Sequence, residues 1–406
     1  MIKRMAPGGM AGVVWRLALG IFFVAVLLAL DVARRAPVPA LPQAAMPTSP
    51  VMAAKAIWVQ QARGTIPMPA NTPSAHASSL LAMPPGHACA VMAFWFAGTR
   101  ESAPDVQIAS SCFERASQQW AAARFVVNRH DVSQQLGFGL RRLGNPVAWL
   151  DSHGHIHLFV VATGLGGWAA GRIVHLTQVD DASDAAALSF GQPRVLPLSW
   201  LWNTSFLVRG APLPLEDGGM LLPVYFEIGI KYPVALRFDA EGNFQGLTRM
   251  SARRHILQPT VMPLNATHWL ALMRDNRVDG KIAVSQTADG GQSWRDLPDL
   301  TLSNPDSSVF TLPLGPGHFL LAHNSSKQSR QVLDLSESVN GIDWTRIQNL
   351  ASGLMVGTGP DAKAAEFSYP AMTLADGSVW VSYTDGRERI AWQRFGWQVA
   401  AGETKP

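Results

Sequence analysis

Residues 285–294 read SQTADGGQSW. An acidic residue, two glycines and a tryptophan stand between two apolar stretches, KIAV before and RDLPDL after. Gly290 and Gly291 can supply positive φ, and the Asp289 carboxylate can accept backbone N–H bonds inside a hairpin turn. Asp289 therefore reads as a turn residue, not as a catalytic one. The same order of acidic or amide residue, glycine and aromatic ends fifty residues earlier at Phe244 (FDAEGNF) and fifty residues later at Trp344 (SVNGIDW). ERASQQW, ending at Trp120, and the stretch near Phe190 after QVDDASD read as weaker copies.

Between these marks the segments are strand-like. CAVMAFWFAG, HIHLFVVAT, GMLLPVYFEI, HWLALMRD, HFLLAHN and SVWVSYTD are short and rich in β-branched and aromatic residues. A unit of two hairpins repeated about every fifty residues is a propeller blade. The marks near 120, 190, 244, 294 and 344 give five blades, and SVWVSYTD with RIAWQRFGW gives a sixth. KAIWVQQA (55–62) is positioned to complete that last blade and close the ring, which removes its edges. The expected fold is all-β, a six-bladed β-propeller preceded by an N-terminal helix.

Composition agrees. Hydrophobic residues make up 48% of the 406-residue chain and charged residues 15%, so a large core is available and disorder is not expected. The net charge of +4 is scattered, with no Lys/Arg run of the kind that binds nucleic acid. Isolated loop arginines suit a carboxylate better, through the bidentate guanidinium fork.

LALGIFFVAVLLAL (17–30), behind Lys3 and Arg4, reads as an uncleaved membrane anchor or a signal peptide. The expected organisation is an anchor over 1–35, a Pro/Ala-rich tether over 36–54, the propeller over 55–398 and a tail over 399–406. The propeller would then be exported and tethered, or secreted if the anchor is cut. Cys89 and Cys112 flank the turn TRESAP in two runs that can pair as a hairpin, which allows a disulfide in an oxidising compartment. HGHIH (153–157) fits a turn leading into a strand better than a metal site. No cofactor is expected.

The pattern T-x-D-x-G-x-S-W resembles the Asp box of the bacterial sialidase (neuraminidase) repeat family. WFAGTRESAPDVQIA (95–109), ILQPTVMPL (256–264), LSNPDSSV (302–309) and EFSYPAMTLADGSVWVSYTDGRERIAW (366–392) extend the resemblance over roughly 75–395. It implies a six-bladed propeller and, by analogy, glycoside hydrolysis. It also implies arginines converging on a sugar carboxylate, a tyrosine nucleophile, a glutamate base and an aspartate acid. A neutral tyrosine avoids the repulsion that a carboxylate nucleophile would meet, which is why sialidases depart from two-carboxylate hydrolysis.

On this sequence the resemblance and the strand ends point to Arg100, Arg274 and Arg387 for the carboxylate, and to Tyr369 as nucleophile. Asp105 or Glu101 would be the acid, and Glu227 or Glu366 the base. Lys231, Gln258, Asn304 and Asn324 would line the cleft. The Arg-Ile-Pro stretch of true sialidases is absent, and His76 stands near its place. The function expected is an exo-glycosidase removing terminal acidic sugars, sialic acid or related, from glycans by a retaining mechanism. The alternative is an inactive propeller that binds a polysaccharide or a partner protein.

Overall fold

Each fifty-residue mark stands in or directly before the outermost strand of a blade. This is seen in a computed structural model that describes residues 8–34, 43–47, 56–179, 188–278, 280–356 and 363–399. Trp120 ends the short outer strand Gln119–Trp120, and Phe190 and Phe244 open Phe190–Val195 and Phe244–Arg249. Trp294 and Trp344 immediately precede Arg295–Leu297 and Thr345–Ser352. The acidic part of the copy near Phe190, residues 180–187, lies outside the described residues.

Six antiparallel sheets follow one another. Their innermost strands are Ser74–Ala82, Arg142–Leu150, the split pair Phe206–Val208 and Leu213–Pro214, Ile256–Pro263, Phe310–Gly315 and Phe367–Ala375. The sixth blade takes its outer strand from the other end of the domain. Ala56–Thr65 pairs antiparallel with Arg389–Val399, from Ala56 opposite Val399 to Thr65 opposite Ala391. This closure leaves no unpaired edge at the join. The Trp58 indole also donates to Glu337 of blade five at 3.2 Å, so the closing strand is fastened to two blades. Trp380, Trp392, Trp120 and Phe113 pack edge-on or stacked where blades one and six meet.

Strand alternation divides the connections between two ends. Links from second to third strand, and from each blade to the next, emerge at one end of the channel; the remaining turns emerge at the other. The Asp-box turns belong to the second group. Asp289 Oδ1 accepts from the Ser293 amide at 2.9 Å and the Thr287 hydroxyl at 2.7 Å, and Oδ2 accepts from the Ser293 hydroxyl. Trp294 donates to the Gly291 carbonyl at 3.1 Å. Asn340 and Trp344 repeat the arrangement around Gly341, whose φ is 74°. At this φ a side chain is strained, and a Cβ at Gly341 would also press on the Met262 methyl at 2.5 Å.

Cys89 and Cys112 form a disulfide across the first hairpin. Gln43, Ala44 and Ala45 of the expected tether are bonded to blades three and four: Ala44 N to Ala266 O at 2.9 Å, Ala45 N to Pro214 O at 3.0 Å, and Glu216 N to Gln43 O at 2.9 Å. That part of the tether is docked, not free. Residues 36–42, 48–54 and the tail from 400 lie outside the described residues.

The bonds around Asp289 carry an expected outcome. Asp289→Ala removes the acceptor for three groups at an exposed turn and is expected to cost about 1–2 kcal/mol. Urea unfolding should show a lower midpoint with an unchanged m-value.

Candidate active site

The innermost strands are broken where they approach the first end of the channel. The register slips between His76 and Ser79, Gly144 and Val147, Leu257 and Thr260, and Ser368 and Ala371. The slips carry Ala77, Asn145, Gln258 and Tyr369 at φ of 55°, 44°, 52° and 54°. In blade three the strand parts at Arg209–Pro212, where a Cβ on Gly210 would sit 2.1 Å from the Pro259 carbonyl. Bulges of this kind re-aim side chains that a regular strand would send into the neighbouring sheets.

Tyr369 stands at the centre of the result. Its hydroxyl accepts from Gln258 Nε2 at 3.3 Å and Arg274 Nη1 at 3.4 Å. Gln258 Nε2 also reaches the Tyr225 hydroxyl at 3.3 Å, and Arg274 Nη1 fixes the amide by donating to its Oε1 at 3.1 Å. The buried His76 ring lies 4.3 Å from the Tyr369 ring. Burial and then the charge of Arg387 hold His76 well below its usual pKa, so it is neutral. Arg209 and Arg330 face the Tyr369 ring at 5.4 and 5.9 Å.

Most of the cations are already paired. Arg274 donates to Asp306 at 2.6 Å, and Arg330 donates to Glu366 at 3.0 Å and to the Asp306 carbonyl at 2.6 Å. Arg387 grips Glu366 with a fork of 2.8 and 3.0 Å and also binds Glu101. Burial alone would raise the Glu366 carboxyl. The hydrogen bonds and charges of Arg387 and Arg330 instead bring it down to about 2.

Arg209 differs. It is 2% exposed, and its Nη2 donates to the Pro370 carbonyl at 2.7 Å. Its Nε and Nη1 are buried without a protein partner. Burial lowers its pKa to about 10, so it stays charged at neutral pH. It lines a cavity of about 490 Å³ that runs down the channel beneath Tyr369.

Other expected residues are placed differently. Arg100 is exposed on its turn, next to Glu101, with its carbonyl accepting from the Ala103 amide at 3.1 Å. Asp105 caps the same turn through the Thr99 amide and hydroxyl at 2.9 and 3.0 Å. Glu227 and Lys231 face each other at 3.8 Å, and neither glutamate considered as base bonds the Tyr369 hydroxyl. Glu366 is instead held by Arg330 and Arg387. Asn304 and Asn324 are fully buried scaffold, not cleft groups: Asn304 braces Ser307, and Asn324 holds the Val332 and Phe367 carbonyls. Arg209, Arg330, Asp306 and Tyr225 were not anticipated. The one available signal was FLVR (206–209), an apolar strand delivering an arginine, as WLALMR does for Arg274.

With the geometry described, the comparisons with known proteins agree on the fold. The BNR repeat-like domain model matches residues 90–381, and the chain belongs to that family. A Hadza microbial sialidase is 17% identical with a TM-score of 0.61, the match covering 79% of this chain and 65% of that one. Trypanosoma rangeli sialidase in complex with sialic acid is 12% identical with a TM-score of 0.61, covering 85% and 59%. A protein of unknown function from Dyadobacter fermentans is 14% identical with a TM-score of 0.64, covering 84% and 99%. The chain thus spans less than two thirds of the length of these two sialidases. No curated protein matches the sequence.

The Glu366 ion pairs set a pH window. Its folded pKa of about 2 lies below its ordinary value of 4.5, so its contribution is present above 4.5 and is lost as pH falls toward 2. Glu366→Gln is expected to cost about 2–3 kcal/mol at neutral pH. In urea titrations at successive pH values the gap between variant and wild type should close across that window.

Proposed function

We propose that this protein is a sialidase-like propeller that recognises the carboxylate of an acidic sugar at its channel mouth. The observation that supports this most directly is Arg209, a buried cation with two unpartnered donors beside a cavity. Arg209, Arg274, Arg330 and Arg387 stand against Asp306, Glu366 and Glu101, four positive charges against three negative. The surplus is one charge, and a single carboxylate neutralises it. An unpaired buried charge is costly, and a bidentate oxyanion relieves it.

The second reading is hydrolysis, an exo-glycosidase of retaining mechanism with Tyr369 as nucleophile and Asp105 or Glu101 as acid. It is favoured by the two donors aimed at the Tyr369 oxygen. The neutral Gln258 amide, in contact with that oxygen where a base is required, favours recognition without cleavage. The helix Gly8–Arg34 contains a stretch, Gly12–Arg34, apolar and long enough to cross a bilayer. Together with the disulfide, it supports an exported domain tethered to the membrane.

Calorimetry of the full chain with sialic acid and with a uronic acid separates these possibilities. Arg209→Met should weaken binding at least about 30-fold while leaving the unliganded protein as stable as wild type or more so. Unchanged affinity in Arg209→Met would remove the recognition site from this position. Release of sugar from an acidic glycoside by wild type, lost in both Tyr369→Phe and Asp105→Asn, would establish the hydrolytic reading.

A further inference from the structure

The apolar N-terminal helix does not lie against the propeller. Val13 to Leu30 are largely exposed along it, and Asp31 in its last turn is 2% exposed. Asp31 is buried because it holds one loop. Its Oδ1 accepts from the Trp200 and Leu201 amides at 2.6 and 3.0 Å, and its Oδ2 from the Ser199 hydroxyl at 2.8 Å. Arg34, one turn on, lies 5.7 Å from the Trp200 ring.

That loop links the outer strand of blade two, Phe190–Val195, to the inner strand of blade three. By strand alternation it emerges at the same end of the channel as Tyr369 and the arginines. It carries Trp200, Leu201 and Trp202 at 64%, 39% and 52% exposure. The neighbouring loops at this end add Leu165 from blade two, and Ile228 and Ile230 from blade three. Cations accompany them: Arg34, and Arg172, whose Nε donates to the Asn203 carbonyl at 3.3 Å. At the opposite end the exposed large apolar side chains Val179, Val339 and Ile342 are spread over the turns of two blades, two and five, and among the described residues no membrane-length helix is bonded to them.

We infer that the mouth end of the propeller rests on the bilayer entered by its own helix, with Trp200, Leu201 and Trp202 in the headgroup layer. The occupant of this surface is lipid, for three reasons. A helix of membrane length ends on the patch by side-chain hydrogen bonds, so the patch sits where the helix leaves the hydrocarbon. Tryptophan is the residue favoured at that depth, where its ring is apolar and its N–H is wet. Arg34 and Arg172 match the negative surface potential of anionic lipids. The orientation turns the Arg209 basin toward the lipid surface, so acidic sugars borne on membrane lipids reach it directly. The inference rests on the reading of Gly8–Arg34 as an anchor.

The test uses the full chain in vesicles of phosphatidylcholine and phosphatidylglycerol, with a nitroxide placed singly at Phe22→Cys, Leu201→Cys or Val339→Cys. The native cysteines are bonded to each other and do not take the label. Collision with oxygen against a water-soluble nickel chelate reports depth. The expected result is lipid exposure at 22 and 201 and water exposure at 339. Replacing Trp200 and Trp202 together by serine should move the 201 label into water while the 22 label stays in lipid. A 201 label as wet as the 339 label, with 22 in lipid, overturns the docking and leaves the anchor standing. A wet 22 label overturns the anchor and the docking with it.

Discussion

A regular inner strand cannot furnish a propeller with a site. Its side chains alternate between the sheets on either side, and none is aimed up the channel. Here the inner strands break near the mouth, and the residues at the breaks take left-handed backbone: Ala77, Asn145, Gln258 and Tyr369. Each such residue costs about 1–3 kcal/mol and persists only where its surroundings over-determine it. Tyr369 is held in this way. Arg209 bonds the carbonyl of the next residue, His76 covers one side of the ring, and Arg274 and Gln258 meet the hydroxyl. The closed ring of six sheets supplies the rigidity that lets strain concentrate at one end.

Charge pairing sorts the arginines into two kinds. Arg274, Arg330 and Arg387 are held by Asp306, Glu366 and Glu101, so they form a prearranged frame. Arg209 has only a backbone carbonyl. The frame fixes the shape of the basin and Arg209 gives it its sign. The same pairing occupies Glu366, three residues from Tyr369. Two guanidinium groups stabilise its ionised form, and a carboxylate held that strongly is a poor proton acceptor.

The scaffold was far more legible in the sequence than the site, and the reason is the range over which each is encoded. An Asp box is complete within eight residues: carboxylate, two positive-φ glycines and a tryptophan satisfy one another locally, so Trp294 and its echoes at Phe244 and Trp344 could be read directly. Closure by the strand at 56–65 was legible because edges must be covered. Arg274 and Tyr369 could be named because recognisable motifs deliver them to the mouth. Arg209 and Arg330 were not, because burial and the lack or presence of a carboxylate partner are decided by other blades. Asn304 and Asn324 erred the other way. A polar residue in a motif looks the same whether it faces a ligand or braces a backbone carbonyl.

Strand alternation also explains how one small ring serves two purposes. The disulfide of Cys89 and Cys112, the Asp-box turns and the docked residues 43–47 are all gathered at one end, where turns are short and internally bonded. The longer connections lie at the other end, and there some of the fastenings join distant parts of the chain. Arg387 crosses from blade six to Glu101 of blade one, and Asp31 crosses from the helix to the loop between blades two and three. A fastening that joins distant parts of the chain stabilises the site only once the ring has closed. The side-chain arrangement at the mouth therefore depends on closure, while an Asp-box turn at the far end is satisfied within its own blade. A change at an Asp box weakens the ring without reshaping the basin, whereas a change in an ion pair at the mouth alters the basin directly.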